Sequence, residues 1–126
     1  MLNLCQMRTT VLLALLCPAA SAYALNIDFI RGAPITLFTE DDLLVFEAAV
    51  LQAVSDNADN EMLSWQSTDT DSRGEVTPLD SRTVDGLTCR STRIVNHAKG
   101  KDGAAVYELC QQPNGDWKFV SQPRNR

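Results

Sequence analysis

The chain has 126 residues, 44% hydrophobic and 21% charged, with a formal net charge of −5. That length suits one domain and leaves no room for a second. An acidic balance with only 6% aromatic residues argues against a nucleic-acid partner, which calls for a basic face.

Residues 1–22 show the three parts of a secretory signal. Arg8 marks the n-region, an apolar run extends from Val11 to Cys17, and small residues follow at Ala19, Ala20, Ser21 and Ala22. Cleavage after Ala22 or after Ala24 fits. The apolar run is shorter than the roughly 20 residues of a spanning helix, so the mature chain is expected to carry no transmembrane span. Cys17 follows Leu16, where a lipidation signal has a small residue, which argues against lipidation at Cys17. Cys5 precedes the apolar run and leaves with it.

Residues 23–38 read as a tether, because Gly32 and Pro34 interrupt any long element, with at most a short extended piece around Ile35 to Phe38. A helix start follows. Thr39 can cap, Asp42 stands in the capping-box position three residues on, and Glu40, Asp41 and Asp42 place negative charge at the positive end of the helix dipole. Leu43, Phe46, Val50 and Val54, joined by Leu51, recur at helical spacing and predict one apolar stripe ending near Ser55 or Asn57.

Beyond the polar run 56–60, residues 62–67 and 74–79 read as short strands around a polar turn. Pro78 cannot donate to a ladder, so its strand is expected at an edge or to stop there. Asp85-Gly86 then turns the chain into a meander of strands 87–96, 104–111 and 116–121, joined by the 99–103 loop and by Pro113-Asn114-Gly115. The fold class is therefore α+β: one N-terminal amphipathic helix packed on a small antiparallel sheet of four to five strands, spanning residues 39–121, with a tail at 122–126.

Cys89 and Cys110 are equidistant from a hairpin centre between Lys99 and Gly100, as are Arg93 with Val106 and Val95 with Ala104. The two cysteines then face each other across adjacent strands, and export makes a disulfide the expectation, against two reduced buried residues. Closing about 20 residues, such a bridge contributes about 3 kcal/mol. Pro113 lacks the N–H that a two-residue Asn-Gly turn would use, so a three-residue loop with Gly115 left-handed is expected. On that register Trp117 and Phe119 join Tyr107, Leu109 and Ile94 on one face, and the cysteines lie on the other; a slip of one residue would exchange the faces.

Candidates for chemistry are few. Residues 69–80 overlap a calcium loop at Asp69, Asp71, Gly74 and Asp80, but Arg73 occupies a ligand position and strands flank the run, so a solvated turn is expected. His97 is the single histidine, beside the hairpin loop, with no ligand or nucleophile partner in evidence. No nucleophile elbow and no phosphate loop occurs. These patterns predict no enzyme, no metal and no cofactor. Charge is uneven: thirteen acidic residues against three basic between Asp28 and Asp85, then seven basic against three acidic from Gly86 onward. Arg90, Arg93, Lys99, Lys101 and Lys118 therefore form a candidate surface for an anionic partner.

Trp65, Gly74-Glu75-Val76-Thr77-Pro78, Gly86-Leu87-Thr88-Cys89-Arg90, Cys110 and Gly115-Asp116-Trp117 together resemble the C-terminal domain of the bacterial family called the seventeen-kilodalton surface antigen. The similarity runs from the helix through Val120. It implies an exported periplasmic or outer-membrane protein of Gram-negative bacteria, with a helix-plus-antiparallel-sheet domain and no established catalytic activity. Many relatives carry a lipoprotein cysteine and a glycine zipper before this domain; this chain lacks the zipper. The expected function is a non-enzymatic envelope protein with a structural or binding role and an unidentified envelope partner, or a module that recognises an anionic partner through the basic hairpin.

Overall fold

The computed structural model describes residues 25–26 and 33–120. The signal segment, Cys17 and the tail lie outside the described residues. Where a short extended piece was expected, Ala33–Thr36 forms a helical turn, α1, because the Pro34 carbonyl accepts the Leu37 N–H at 3.0 Å. Proline fits such a first turn, since its missing N–H has no partner there to lose.

The main helix, α2, spans Glu40–Asp56. Thr39 starts it: the Asp42 N–H donates to Thr39 Oγ1 and the Thr39 N–H donates to Asp42 Oδ2, each at 3.1 Å. Its buried face carries Phe46, Ala49, Val50, Ala53 and Val54, while Leu51 is half-buried. Small residues at 49 and 53 let the helix approach the sheet, an inward stripe broader than the four large residues alone predict.

Five strands follow in sheet order β1-β2-β3-β4-β5, each antiparallel to the next: β1 Leu63–Gln66, β2 Arg73–Val84, β3 Leu87–Ala98, β4 Lys101–Gln111 and β5 Trp117–Phe119. Two two-residue turns carry positive φ at both positions, Asp85-Gly86 at 50° and 81° and Lys99-Gly100 at 51° and 79°. This backbone matches the twist of the strands it joins. The expected 99–103 loop therefore shrinks to Lys99-Gly100, and the ladder continues to Ala98 opposite Lys101. At the last turn Gly115 has φ 96°, its N–H donates to Gln112 O, and the Gln112 N–H donates to Asp116 O. The three-residue loop stands where expected.

Pro78 neither ends its strand nor places it at the sheet edge, contrary to expectation, because β2 continues to Val84 through a register shift between Pro78 and Asp80. The reason is the shortness of β1. Pairing with β1 stops at Val76, so beyond it one side of β2 is locally an edge. Pro78 turns its carbonyl to that side, accepting the Asn60 N–H, and its missing donor faces the same way. The ladder to β3 loses nothing.

The core lies between α2 and one sheet face and includes Trp65, Val76, Ile94, Tyr107, Leu109, Trp117 and Phe119. Trp65 packs edge-on against Phe38 and Phe46 at centroid distances of 5.4 and 5.9 Å. Each such fully buried large side chain contributes about 1.5–3 kcal/mol. Leu25 also enters this core, and the Asn26 side-chain amide pairs with both the N–H and the carbonyl of Phe119 at 2.9 and 3.0 Å. Cys89 and Cys110 sit on the opposite face, as the expected register requires.

Candidate functional site

Cys89 and Cys110 pair directly across β3 and β4 and are joined by a disulfide. Two residues before Cys110 on the same face, the buried Glu108 carboxylate accepts the Ser91 hydroxyl at 3.1 Å and forms an ion pair with Arg82. Arg82 also reaches Asp80 at 2.9 Å. The two sulfurs and a Glu108 oxygen lie within 4.8 Å of one another. Both sulfurs are spent on their mutual bond, which leaves no thiolate to bind a metal or attack a substrate.

The five basic residues of the candidate surface do not converge. Arg90 is buried on the helix side of the sheet. Its guanidinium donates to the Val54 carbonyl at 2.9 Å, to Ser81 Oγ at 2.9 Å and to Asp59 Oδ1 at 2.8 Å. It thus closes the C-terminal end of α2, where a cation is favoured by the carbonyls left without helical partners. The Arg90 hydrogen bond, helped by Ser81, holds the Asp59 carboxyl below the usual range. Arg93 and Lys118 lie on the other face, opposite Val106 and Cys110. Those two registers are four residues apart along β4, about 13 Å. Lys99 and Lys101 are exposed at the hairpin tip.

His97 faces two carboxylates, with Nδ1 2.6 Å from Asp102 Oδ1 and Nε2 3.6 Å from Asp71 Oδ2. Asp71 also accepts the Lys99 N–H at 3.1 Å. These contacts fasten the hairpin tip to the turn between β1 and β2. Of the calcium-loop positions, Asp71 is turned to that tip, Asp69 bonds the Thr68 hydroxyl, and Asp80 lies past the bulge beside Arg82. They do not aim at one point.

Sequence reasoning missed the second role of Asp42. Fully buried, it accepts the Ser72 hydroxyl at 2.8 Å and the Thr70 hydroxyl at 2.9 Å besides the Thr39 N–H. Burial alone would raise its pKa, but the hydrogen bonds from Thr39, Ser67, Ser72 and Thr70 prevail and hold it at about 2. The capping box was readable; the serines and threonines that surround the carboxylate come from a turn thirty residues away.

Sequence reasoning also missed an open groove of about 710 Å³ between α2 and the β4–β5 turn. Leu44, Ala48 and Leu51 line it from α2 and the turn up to Trp117 lines it from the sheet, with Glu47, Asp56 and Asp116 also in the lining. Burial pushes the Glu47 carboxyl up, against a hydrogen bond from the Leu25 backbone. Among the described residues no helix is long and apolar enough to cross a membrane.

A capped helix laid across one face of an open antiparallel meander, cross-linked between its middle strands on the other face, defines a small α+β domain. Residues 52–118, from the middle of α2 to β5, match the family model described as 17 kDa outer membrane surface antigen. That is more than half of the chain, and the protein belongs to this family, whose description makes it an envelope-associated protein. Searches of curated proteins and of solved structures return no match.

Proposed function

We propose that the protein is an exported, non-catalytic domain of the cell envelope that acts by holding or binding another envelope component. The observation that carries this reading is the use made of its reactive side chains. Asp42 ties the β1–β2 turn to the helix start, Arg90 closes the helix end, Glu108 holds Arg82 and Ser91, and the cysteines are bonded to each other. Such commitments build a scaffold and leave, among the described residues, no nucleophile paired with a base. The signal-like residues 1–22 and the surface antigen family support an envelope address. Fractionation of cells producing the chain tests it: recovery with the envelope or periplasm is expected, and a full-length cytosolic protein overturns it.

One observation favours a more specific reading, with an anionic envelope component as the partner. Arg93, Lys99, Lys101 and Lys118 have no acidic partner for their side chains among the described residues, whereas Arg82 and Arg90 do. Arg90 drops out of the expected set. The remaining four line the far sheet face and the hairpin tip. Sedimentation with vesicles containing anionic lipid, against purely zwitterionic ones, tests this reading. Binding that weakens from low to high salt supports it, and salt-independent binding removes it.

A further inference from the structure

The groove beside α2 lies against one position of the sheet edge, Trp117, whose backbone N–H and carbonyl have no partner among the described residues. Bonds from Gln112 N–H to Asp116 O and from Val120 N–H to Glu108 O fix which groups of β5 face β4. By alternation, the N–H and carbonyl of Trp117 and Phe119 point away from the sheet. At Phe119 both groups are taken by the Asn26 side-chain amide, which does what a neighbouring strand would do. Trp117, two residues back along the same edge, lines the groove.

The groove wall is apolar at Leu44, Ala48 and Leu51, and Leu44 is 64% exposed. All three charged residues that line it, Glu47, Asp56 and Asp116, are acidic. An apolar trough whose charged lining is all acidic, beside a strand position unpaired among the described residues, has the features of a strand-addition site: backbone pairing supplies affinity and side-chain pockets supply selectivity.

We infer that this groove docks an extended segment of a partner envelope protein, one that pairs its backbone with Trp117, seats an apolar side chain on Ala48 and Leu51, and presents a lysine or arginine to Glu47 and Asp116. The site is separate from the basic face and hairpin tip, so it stands or falls independently of binding to an anionic partner. The chemistry of the occupant follows from the acidic lining. A segment flanked by glutamates would place like charges together in a partly desolvated site.

The test uses two peptides, N-acetyl-Lys-Val-Leu-Val-Lys-amide and its counterpart with glutamates at both ends, titrated into the protein purified from its envelope fraction and followed by amide NMR. The lysine peptide is expected to bind at least tenfold more tightly, moving the Gly115 and Trp117 amide signals. Ala48→Trp, which fills the trough from an exposed helix position, should abolish those shifts, and Asp116→Lys should narrow or reverse the preference. Unchanged circular dichroism and urea midpoints check that both variants fold. Equal affinity for the two peptides, shifts that survive Ala48→Trp, or no binding of either overturns the inference. So does a groove already filled by a second copy, seen as a dimer by sedimentation, or by the chain's own residues 27–32, seen as nuclear Overhauser contacts to Leu51.

Discussion

Arg90 and Asp59, 31 residues apart in the chain, meet at 2.8 Å, and the same guanidinium donates to the carbonyl of Val54 at the end of α2. One buried side chain thus joins the sheet, the helix end and the loop after it. Removing it takes the donor from the Val54 carbonyl and leaves Asp59 with the Ser81 hydroxyl alone. Arg90→Met should lower the unfolding free energy by about 2–3 kcal/mol, and Arg90→Lys should recover only part of that, because a lysine cannot span three acceptors in the same plane. Urea denaturation checks both. Asp59→Asn should cost less, since Asp59 is 44% exposed.

Asp42 makes acid stability specific to one group. Its pKa is about 2 in the folded chain against an ordinary 3.8, so the unfolded state binds the proton more readily. Its contribution is fully present above the ordinary value and is lost as pH falls through the folded value, from about 4 toward 2. Asp42→Asn should lower stability at pH 7 by about 1–3 kcal/mol through the lost cap and hydroxyl acceptors. It should also flatten the stability profile between pH 4 and 2. Equilibrium unfolding at several pH values reads both effects.

Gly74 is needed for space, and its backbone angle plays no part. A Cβ there would stand 2.7 Å from Trp65 Nε1, 2.9 Å from Asn96 Oδ1, and against the Val95 carbonyl. The last is backbone and cannot swing aside. Gly74→Ala should therefore cost about 1–3 kcal/mol and shift tryptophan fluorescence, while Gly103→Ala, whose Cβ would meet the Pro34 ring at 3.2 Å, should cost less.

The disulfide closes a loop with a sequence separation of 21. Replacing both cysteines by alanine should remove about 3 kcal/mol. The midpoint of thermal unfolding should fall by about 12–24 °C for a domain of this size, and reductant should reproduce that shift in the parent protein but not in the double variant.

These residues also show where the sequence was legible. The centre between Lys99 and Gly100 set the whole β3–β4 register, because antiparallel pairing is symmetrical about its turn and the cysteines marked two positions of it. Pro113 forced the longer last turn, and with it the face that Trp117 buries. The inward face of Arg90 is implied by Ile94, because strand side chains alternate with a period of two and the two positions share a face. Charge argued for the surface, and the helix-end carbonyls that make an inward arginine tolerable are not visible in the local sequence. The groove was equally hidden, since it needs the α2 wall and the distant β4–β5 turn at once.

On the proposed function, the protein is an exported envelope domain clamped by the Cys89–Cys110 bridge. Intact mass spectrometry of the protein, alkylated with N-ethylmaleimide at cell lysis without reductant and recovered from each cell fraction, tests it most directly. An envelope or periplasmic species lacking residues 1–22 or 1–24 and carrying no maleimide adduct is expected. A cytosolic species of full mass with adducts on its cysteines would contradict it.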